Sequence, residues 1–403
     1  MDYGNAGQIK KAKPQCEKEE SINVLDRLPL EIANDTLSRL PIKSLVQLSY
    51  SCRSLKSLSH DPDFVSLHLS KSSMNESECL IFHSAYPLRD QLHFIFLSDK
   101  KVRKINIPIT MSIPEFYIIG SSNGLLCLVD TLFPDSFCIY NPFRRGHLEI
   151  PKNSEFKDRV VAYGFGFDPI TNDYKVIMIA GCTSCNESND VPVSDVQIYS
   201  VKSSVWQNKG SVPYSIGTWS KRGVLASGRL HWVSRGVEIN GDLQRNIVTY
   251  NLANDSFDVI YGPTPASLSR WRWAPSYLGE LDGCLSVVVR VRIGNAEFDV
   301  WTLRDYGGRG SWVKAYNIGT YHQVPRGVEG LRSLPVGVLK RIWCVMRSGE
   351  LLLEYMGRGN NNLVTYDPRN KTFKRLDECL GIREVSDSLL HVGALTSAAF
   401  PLL

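Results

Sequence analysis

Asn123-Gly124-Leu125-Leu126-Cys127-Leu128 is a tight turn running into an apolar strand. The pattern returns as Ser227-Gly228-Arg229-Leu230-His231-Trp232, Asp282-Gly283-Cys284-Leu285-Ser286-Val287 and Ser348-Gly349-Glu350-Leu351-Leu352-Leu353. A second pattern alternates with it: a strand ending in Tyr or Trp, then a turn, then another aromatic. It reads Ile198-Tyr199 to Trp206, Thr249-Tyr250 to Phe257, Val300-Trp301 to Trp312 and Thr365-Tyr366 to Phe373. A repeat of roughly 45–60 residues is the length of a propeller blade. One four-stranded blade cannot bury both of its faces, so several must stack around an axis. Units fall near 79–107, 116–150, 160–206, 219–260, 277–318 and 331–376. That makes six, with seven left open. A strand at about 389–399 is expected to pair back into the first unit and close the ring.

Working outward, this β-rich texture fills residues 76–400, and the texture upstream differs. Residues 1–22 are polar, with Lys10, Lys11, Lys13 and Lys18 offset by Asp2, Glu17, Glu19 and Glu20, and read as a disordered tail. Residues 24–69 carry helical periodicity. Ile32, Ala33, Leu37 and Leu40 share one face, and Pro41 ends that helix because a residue before proline avoids the α region. Leu45, Leu48, Cys52 and Leu55 make the stripe of a second helix. Asp61-Pro62 is a cap followed by proline at the first position of a third, which turns Phe64 and Leu67 inward. Three short helices make a core that is marginal alone. The expected fold is therefore mainly β with a small α domain: an N-terminal three-helix unit followed by a β-propeller-like domain.

Composition excludes several classes. The chain has 403 residues, 43% hydrophobic and 22% charged, so wholesale disorder is out. Lys+Arg 46 less Asp+Glu 41 leaves +5, too little to point to nucleic acid. No apolar run is long enough for a membrane helix, and Met1 to Cys16 lacks the apolar core of a secretory signal. The ten cysteines are scattered, mostly inside apolar runs, as buried free thiols in a reducing compartment are. Only Cys182 and Cys185 form a CxxC, and no second pair or nearby histidine completes a zinc set. No metal and no cofactor are expected.

Catalytic signatures are missing too. Gly164-x-Gly166 lacks a third glycine and runs into Asp168-Pro169, a strand and turn rather than a dinucleotide loop. His231 sits between Leu230 and Trp232 and reads as a blade residue. Asp168, Asp282 and Asp299 stand in turns or at strand edges that explain them structurally. A propeller hydrolase would need paired carboxylates about 5–9.5 Å apart in an axial pocket.

Leu28-Pro29-Leu30-Glu31-Ile32, Leu40-Pro41-Ile42-Lys43-Ser44-Leu45, Cys52-Arg53 and Asp61-Pro62-Asp63-Phe64 together resemble the F-box, at residues 24–69. This chain has Leu55, Ser51 and Gln47 where many F-boxes carry tryptophan, valine and arginine. Gly120-Ser121-Ser122-Asn123-Gly124-Leu125-Leu126-Cys127, Tyr140-Asn141-Pro142 and Tyr163-Gly164-Phe165-Gly166-Phe167-Asp168-Pro169-Ile170-Thr171-Asn172-Asp173-Tyr174-Lys175-Val176 are similar to the kelch-like F-box-associated domain of the large plant F-box family, which includes the S-locus type. The resemblance implies a non-catalytic substrate receptor. Its F-box would dock a Skp-type adaptor and, through it, a cullin-RING ubiquitin ligase. Its propeller would bind an unidentified protein marked for degradation, in the cytoplasm, the nucleus or both. A propeller scaffold outside any ligase is the alternative from another class. Leu28, Pro29, Ile32, Leu40, Pro41, Leu45 and Leu48 are the expected adaptor contacts. For the target, Arg270, Trp271, Arg272 and Trp273 alternate the two residue types most enriched at binding hot spots. Tyr214, Trp219, Tyr321, His322 and Arg332 are further candidates on between-strand stretches.

Overall fold

A computed structural model describes residues 29–51, 53–71, 78–83, 91–97, 101–106, 116–130, 132–153, 159–181, 193–216, 221–234, 237–239, 242–244, 246–263, 275–291, 297–307, 311–319, 321–323, 334–335, 338–356, 361–376 and 387–397. Helices α1 (Leu30–Leu37), α2 (Ile42–Ser51), α3 (Arg53–Leu58) and α4 (Pro62–Lys71) come first. Six antiparallel four-stranded sheets follow, with two short two-stranded hairpins.

Four helical stretches are described where three helices are expected: α2 and α3 lie on either side of Cys52, which is outside the described residues. Leu45 and Leu55 enter the same core, with Leu37, Ile42, Phe64 and Val65. In α1 Ala33 and Leu37 are buried, but Ile32 of the same expected face is exposed, and the helix ends at Leu37, before Pro41. Asp61 Oδ1 accepts the Phe64 amide at 2.9 Å, capping α4 with Pro62 at its first position.

From the axis outward, blade one is Asp387–Val392, Glu78–His83, Gln91–Phe96 and Val102–Asn106. Blade two is Phe116–Ser122, Leu125–Asp130, Phe137–Tyr140 and His147–Ile150. Blade three is Val160–Asp168, Asp173–Gly181, Ser194–Ser200 and Val205–Val212. Blade four is Val224–Ala226, Arg229–Val233, Ile247–Asn251 and Ser256–Ile260. Blade five is Pro275–Leu281, Cys284–Arg290, Phe298–Leu303 and Trp312–Ile318, and blade six is Val338–Val345, Leu351–Met356, Asn361–Asp367 and Thr372–Arg375. The ring closes as the sequence predicts. The C-terminal strand pairs with Glu78–His83 in register Glu78 to Val392 through His83 to Asp387.

Each of the six blade-to-blade contacts holds its own apolar cluster. Blade two shows why its strands are apolar on both faces. Leu125, Cys127 and Val129 point into the cluster shared with blade three, while Leu126 and Leu128 point into the one shared with blade one. Alternation along a strand normally yields one wet face. Here both faces are walls, so the run is continuously apolar.

Each innermost strand contributes a residue to an axial channel: Gly120, Phe165, Val224, Tyr277, Ile342 and Leu389. Leu69 of α4 reaches the channel at the end where the first turns of the blades lie. The helical unit therefore sits on that end of the propeller.

Candidate functional site

The helical unit divides its apolar residues between two faces. Ala33, Leu37, Ile42, Leu45, Leu55, Phe64 and Val65 are buried, and Leu395 joins them from the propeller. Leu30 (70%), Ile32 (54%) and Leu48 (36%) stay exposed, beside an exposed Pro29. Leu40 and Pro41 are half-buried. Leu45, expected at an adaptor-contacting face, instead fills the unit's own core at 4% exposure. Leu28 lies outside the described residues. Leu30, the most exposed of the set, was part of the quoted motif but not singled out. The signal was present, since Ala33 and Leu37 suffice to anchor so short a helix and leave its other apolar side chains free.

Leu55, 7% exposed, takes an inward position in this core. Ser51 is exposed, with its hydroxyl donating to the Gln47 carbonyl at 3.3 Å.

A junction joins the helical unit to the ring. Asn141 is fully buried. Its side-chain amide donates to the carbonyls of Ala394 (3.0 Å) and Thr396 (2.5 Å), and its Oδ1 accepts the Phe143 and Arg144 amides. Arg144 Nη1 then donates to Leu395 O at 2.6 Å and to Ser59 O, just past the end of α3, at 3.1 Å. Phe143 stacks on His391 and tilts against Phe94 and Phe96. Room is scarce. Gly124 has φ +81°, and a Cβ there would lie 2.5 Å from that of Ala394. The Asn-Gly turn and the Tyr-Asn-Pro motif are thus the parts that seat the C-terminal segment and the helical unit.

The third motif is an inter-blade tie. Lys175 Nζ donates to Asp168 Oδ2 (3.2 Å) in its own blade and to Asp255 Oδ1 (2.7 Å) and Leu252 O (2.6 Å) in blade four. Asp168 also accepts the Ile170 amide and the Thr171 hydroxyl. Burial pushes the Asp255 carboxyl up, but Lys175, Tyr250 and Lys209 outweigh it and hold the group at about 2. Asp168 moves down for the same reasons: burial opposes, and Thr171, the Ile170 amide and Lys175 prevail. Asp299 is likewise engaged, by Lys314 Nζ and Asn317 Nδ2, each at 2.7 Å. His231 is buried between Val224 O and the Tyr306 hydroxyl, both 3.0 Å away, and burial lowers its imidazole to about 4.

Strand direction sorts the loops. In each blade the first-to-second and third-to-fourth turns leave one end. The second-to-third loops and the blade-to-blade connections leave the other. The chain passes from α4 into blade one at Glu78, opposite Val392, so the helical unit occupies the tight-turn end. Of the target-binding candidates, Tyr214, Tyr321 and His322 are described, on blade-to-blade connections that leave the opposite end.

Arg270, Trp271, Arg272, Trp273, Trp219 and Arg332 lie outside the described residues, as do Cys182 and Cys185. The His322 backbone pairs with Pro335 in a short hairpin. Tyr214 is half-buried against blades three and four. Tyr321 corrects the expectation of a surface position. It is 5% exposed, with its ring packed on Tyr355 and Phe373 between blades five and six. An aromatic next to a glycine-rich connection can cap the apolar cluster below it, and spacing alone does not distinguish that from a loop-tip position. Missed altogether were Leu132 (63%) and Phe133 (45%), exposed in blade two's second-to-third loop at the end away from the F-box. Asp130 Oδ1 accepts both their amides, which holds the pair out.

Among the described residues no helix is long and apolar enough to cross a membrane. Comparison with known proteins agrees with this geometry. Residues 25–67 match the F-box domain and residues 72–389 match the F-box associated beta propeller domain. F-box protein At3g07870 of Arabidopsis thaliana is 34% identical, over 94% of each chain. F-box protein CPR1 of the same plant is 27% identical over 87% of this chain and 85% of its own. F-box/kelch-repeat protein At3g23880, also from Arabidopsis thaliana, is 27% identical over 72% and 79%. With its F-box seated on one end of six blades, the chain belongs to the F-box proteins that carry an F-box-associated β-propeller domain.

Proposed function

We propose that this chain is the substrate receptor of a Skp–cullin–F-box ubiquitin ligase, working in the cytoplasm, the nucleus or both. It acts without catalytic residues of its own. The F-box docks a Skp-type adaptor, and the propeller holds a protein target within reach of the ligase's ubiquitin-loaded enzyme.

The observation that carries the reading is the unfinished apolar face of the helical unit: Pro29, Leu30, Ile32 and Leu48 are exposed while Ala33, Leu37, Ile42, Leu45, Leu55, Phe64 and Val65 are buried. Burying a Leu or Ile contributes about 1.5–3 kcal/mol, and a few together offset the cost of association. On this reading Leu28, Pro29, Ile32 and Leu48, now with Leu30, contact the adaptor. Leu40 and Pro41 line the edge of that face, and Leu45 supports it from beneath. The opposite end of the propeller receives the target, with Arg270, Trp271, Arg272 and Trp273 as candidate contacts from the sequence. That arrangement leaves adaptor and target on opposite ends of one body, so neither competes for the other's surface.

Co-expression of the full chain with a Skp-type adaptor tests this. A stoichiometric complex that survives size-exclusion chromatography is expected, and Leu30→Asp with Ile32→Asp should dissolve it while the chain stays folded. A folded wild-type chain that does not retain the adaptor would sink the ligase reading and favour a scaffold outside any ligase.

A further inference from the structure

A notch of about 180 Å³ opens between the helical unit and the ring. Drug-sized ligands occupy roughly 300–1,000 Å³, so this one suits a small ion or a single side chain. Its apolar walls are Val46 of α2 with Phe143 and Leu395 of the ring. Its polar walls come from three elements. Tyr50 stands in the last turn of α2, Lys56 in α3 and His60 just after it, and Arg144 on the ring.

Some of these groups are already engaged. The Ser49 hydroxyl, also in the wall, donates to the Val46 carbonyl at 2.7 Å, and His60 Nδ1 donates to the Lys56 carbonyl at 2.7 Å. Arg144 Nη1 is spent on the Ser59 and Leu395 carbonyls, so it counts here as charge alone. Lys56 Nζ and the Tyr50 hydroxyl differ. Among the described residues neither makes a hydrogen bond or ion pair, and both side chains are exposed. Among the same residues no carboxylate pairs with Lys56 or Arg144. Asp61 follows His60 but is not in the wall, and it caps α4 through the Phe64 amide. Burial lowers the Arg144 guanidinium, and the Tyr50 hydroxyl acts the other way. The notch is also clear of the adaptor face. Val46 and Tyr50 are each two residues from Leu48, so at about 100° per residue they lie about 160° around α2 from it.

Two positive charges around one small concavity, with no counter-ion between them, favour an anion there. An ammonium donates to phosphate as a point charge, and such charge-assisted bonds are roughly twice as strong as neutral ones. A tetrahedral anion carries acceptor oxygens on every side, which matches donors that arrive from separate elements. We propose that the notch binds a phosphoryl dianion, held by Lys56 Nζ and the Tyr50 hydroxyl in the field of the Arg144 guanidinium. The bound group would tie the helical unit to the ring. It comes either from a free phosphate or from a phosphorylated protein side chain. The site does not depend on the ligase reading.

The test uses the full chain in complex with its adaptor, or alone if no adaptor binds. Calorimetry at fixed ionic strength, so that screening stays constant, would follow inorganic phosphate, sulfate, acetate and N-acetyl-phosphoserine amide. Phosphate and sulfate should saturate one site, and acetate, with a single charge, should bind at least about tenfold more weakly. Phosphoserine binding at least as tight as phosphate assigns a protein side chain; weaker binding assigns a free phosphate. Lys56→Met should cost about tenfold or more, and Tyr50→Phe, which keeps the ring and removes only the hydroxyl, about three- to tenfold. Lys43→Met makes the same charge change at an exposed position of α2 outside the notch and should cost nothing. All three side chains are exposed, so the fold is kept. Phosphate and sulfate that do not saturate, acetate that binds equally, wild-type affinity in both notch variants, or an equal loss in Lys43→Met would overturn the site. A chain that binds phosphate yet ignores the adaptor would overturn only the ligase reading.

Discussion

The helical unit and the ring handle the same side chains in opposite ways. In the ring, apolar residues of each blade are taken up by the next blade, six times over, until the C-terminal strand closes the circle. In the helical unit the buried apolar residues pack on one another and on Leu395 of the ring, while Leu30, Ile32 and Leu48 remain outside. A closed ring has no face left to complete. A unit of about forty residues cannot cover its own apolar surface, and below that size folds usually rely on external support. The difference teaches where to look for partners. The ring offers ends and an axis; the helices offer a face.

The comparison breaks most sharply at the ion network that ties blades three and four. Lys175 is 7% exposed and is shared by Asp168, which is fully buried, and Asp255 in the next blade. Removing one member of a buried ion network leaves its partners uncompensated, at a cost of about 3–5 kcal/mol. Lys175→Met is therefore expected to lower the unfolding midpoint strongly in denaturant titration, and adaptor binding measured below that midpoint should be unchanged. Loss of adaptor binding in a still-folded variant would mean that the two regions are not separable as argued.

Acid should act on the ring next. His231 and His391 are buried and neutral, with imidazoles lowered by burial to about 4 and about 3. In the unfolded chain both return to about 6.5. Below 6.5 the unfolded state binds protons that the native state refuses, so stability falls as pH falls. The contribution is whole above 6.5 and drains away down to about 4 for His231 and about 3 for His391. A difference of 2 to 3 units corresponds to roughly 3 kcal/mol for His231. Asp255, held at about 2, adds a loss in the same direction only below about 4. Chemical denaturation at pH 7 and pH 5 should show the slope, and His231→Gln should flatten it; an unchanged slope would place the protonation elsewhere.

Much of this architecture was legible beforehand, and the reasons are specific. Asn123-Gly124, Ser227-Gly228 and Asp282-Gly283 all hold positive φ at both residues, a demand that only a few residue types meet, so the turns declare themselves. The six units and the closing strand followed from those turns. What stayed hidden depended on direction rather than pattern. Tyr321 follows a connection and looks like a loop aromatic, yet folds back between blades five and six. Leu45 and Ile32 are both apolar and helical; the way the helices pack on one another, not local pattern, puts Leu45 inside and leaves Ile32 out. The convergence of Asn141, Arg144 and residues 394–396 joins positions about 250 apart, and no local pattern encodes such a meeting.

The helical face itself is tested by smaller changes. Ile32→Asp should leave thermal stability within about 0.5 kcal/mol, because the side chain is already in water. It should weaken adaptor binding by about 2 kcal/mol or more, the scale of a hot-spot residue, read as a thirtyfold or greater rise in Kd by calorimetry. Equal affinity for wild type and variant would remove this face from the interface.

Ile170 supplies the matched control and the smallest expected effect. It is 76% exposed, more so than Ile32, in the first turn of blade three, where Asp168 holds its amide. Ile170 lies on the same end of the propeller as the F-box but on the ring rather than the helices. Exposure alone makes the two isoleucines equivalent, and single exposed apolar residues are common on any surface. Ile170→Ser should therefore change neither stability, beyond about 0.5 kcal/mol, nor adaptor affinity. If Ile170→Ser weakened the adaptor as Ile32→Asp does, the docking surface would extend across the helix–ring junction, and Arg144, bridging Ser59 and Leu395 there, would be part of it.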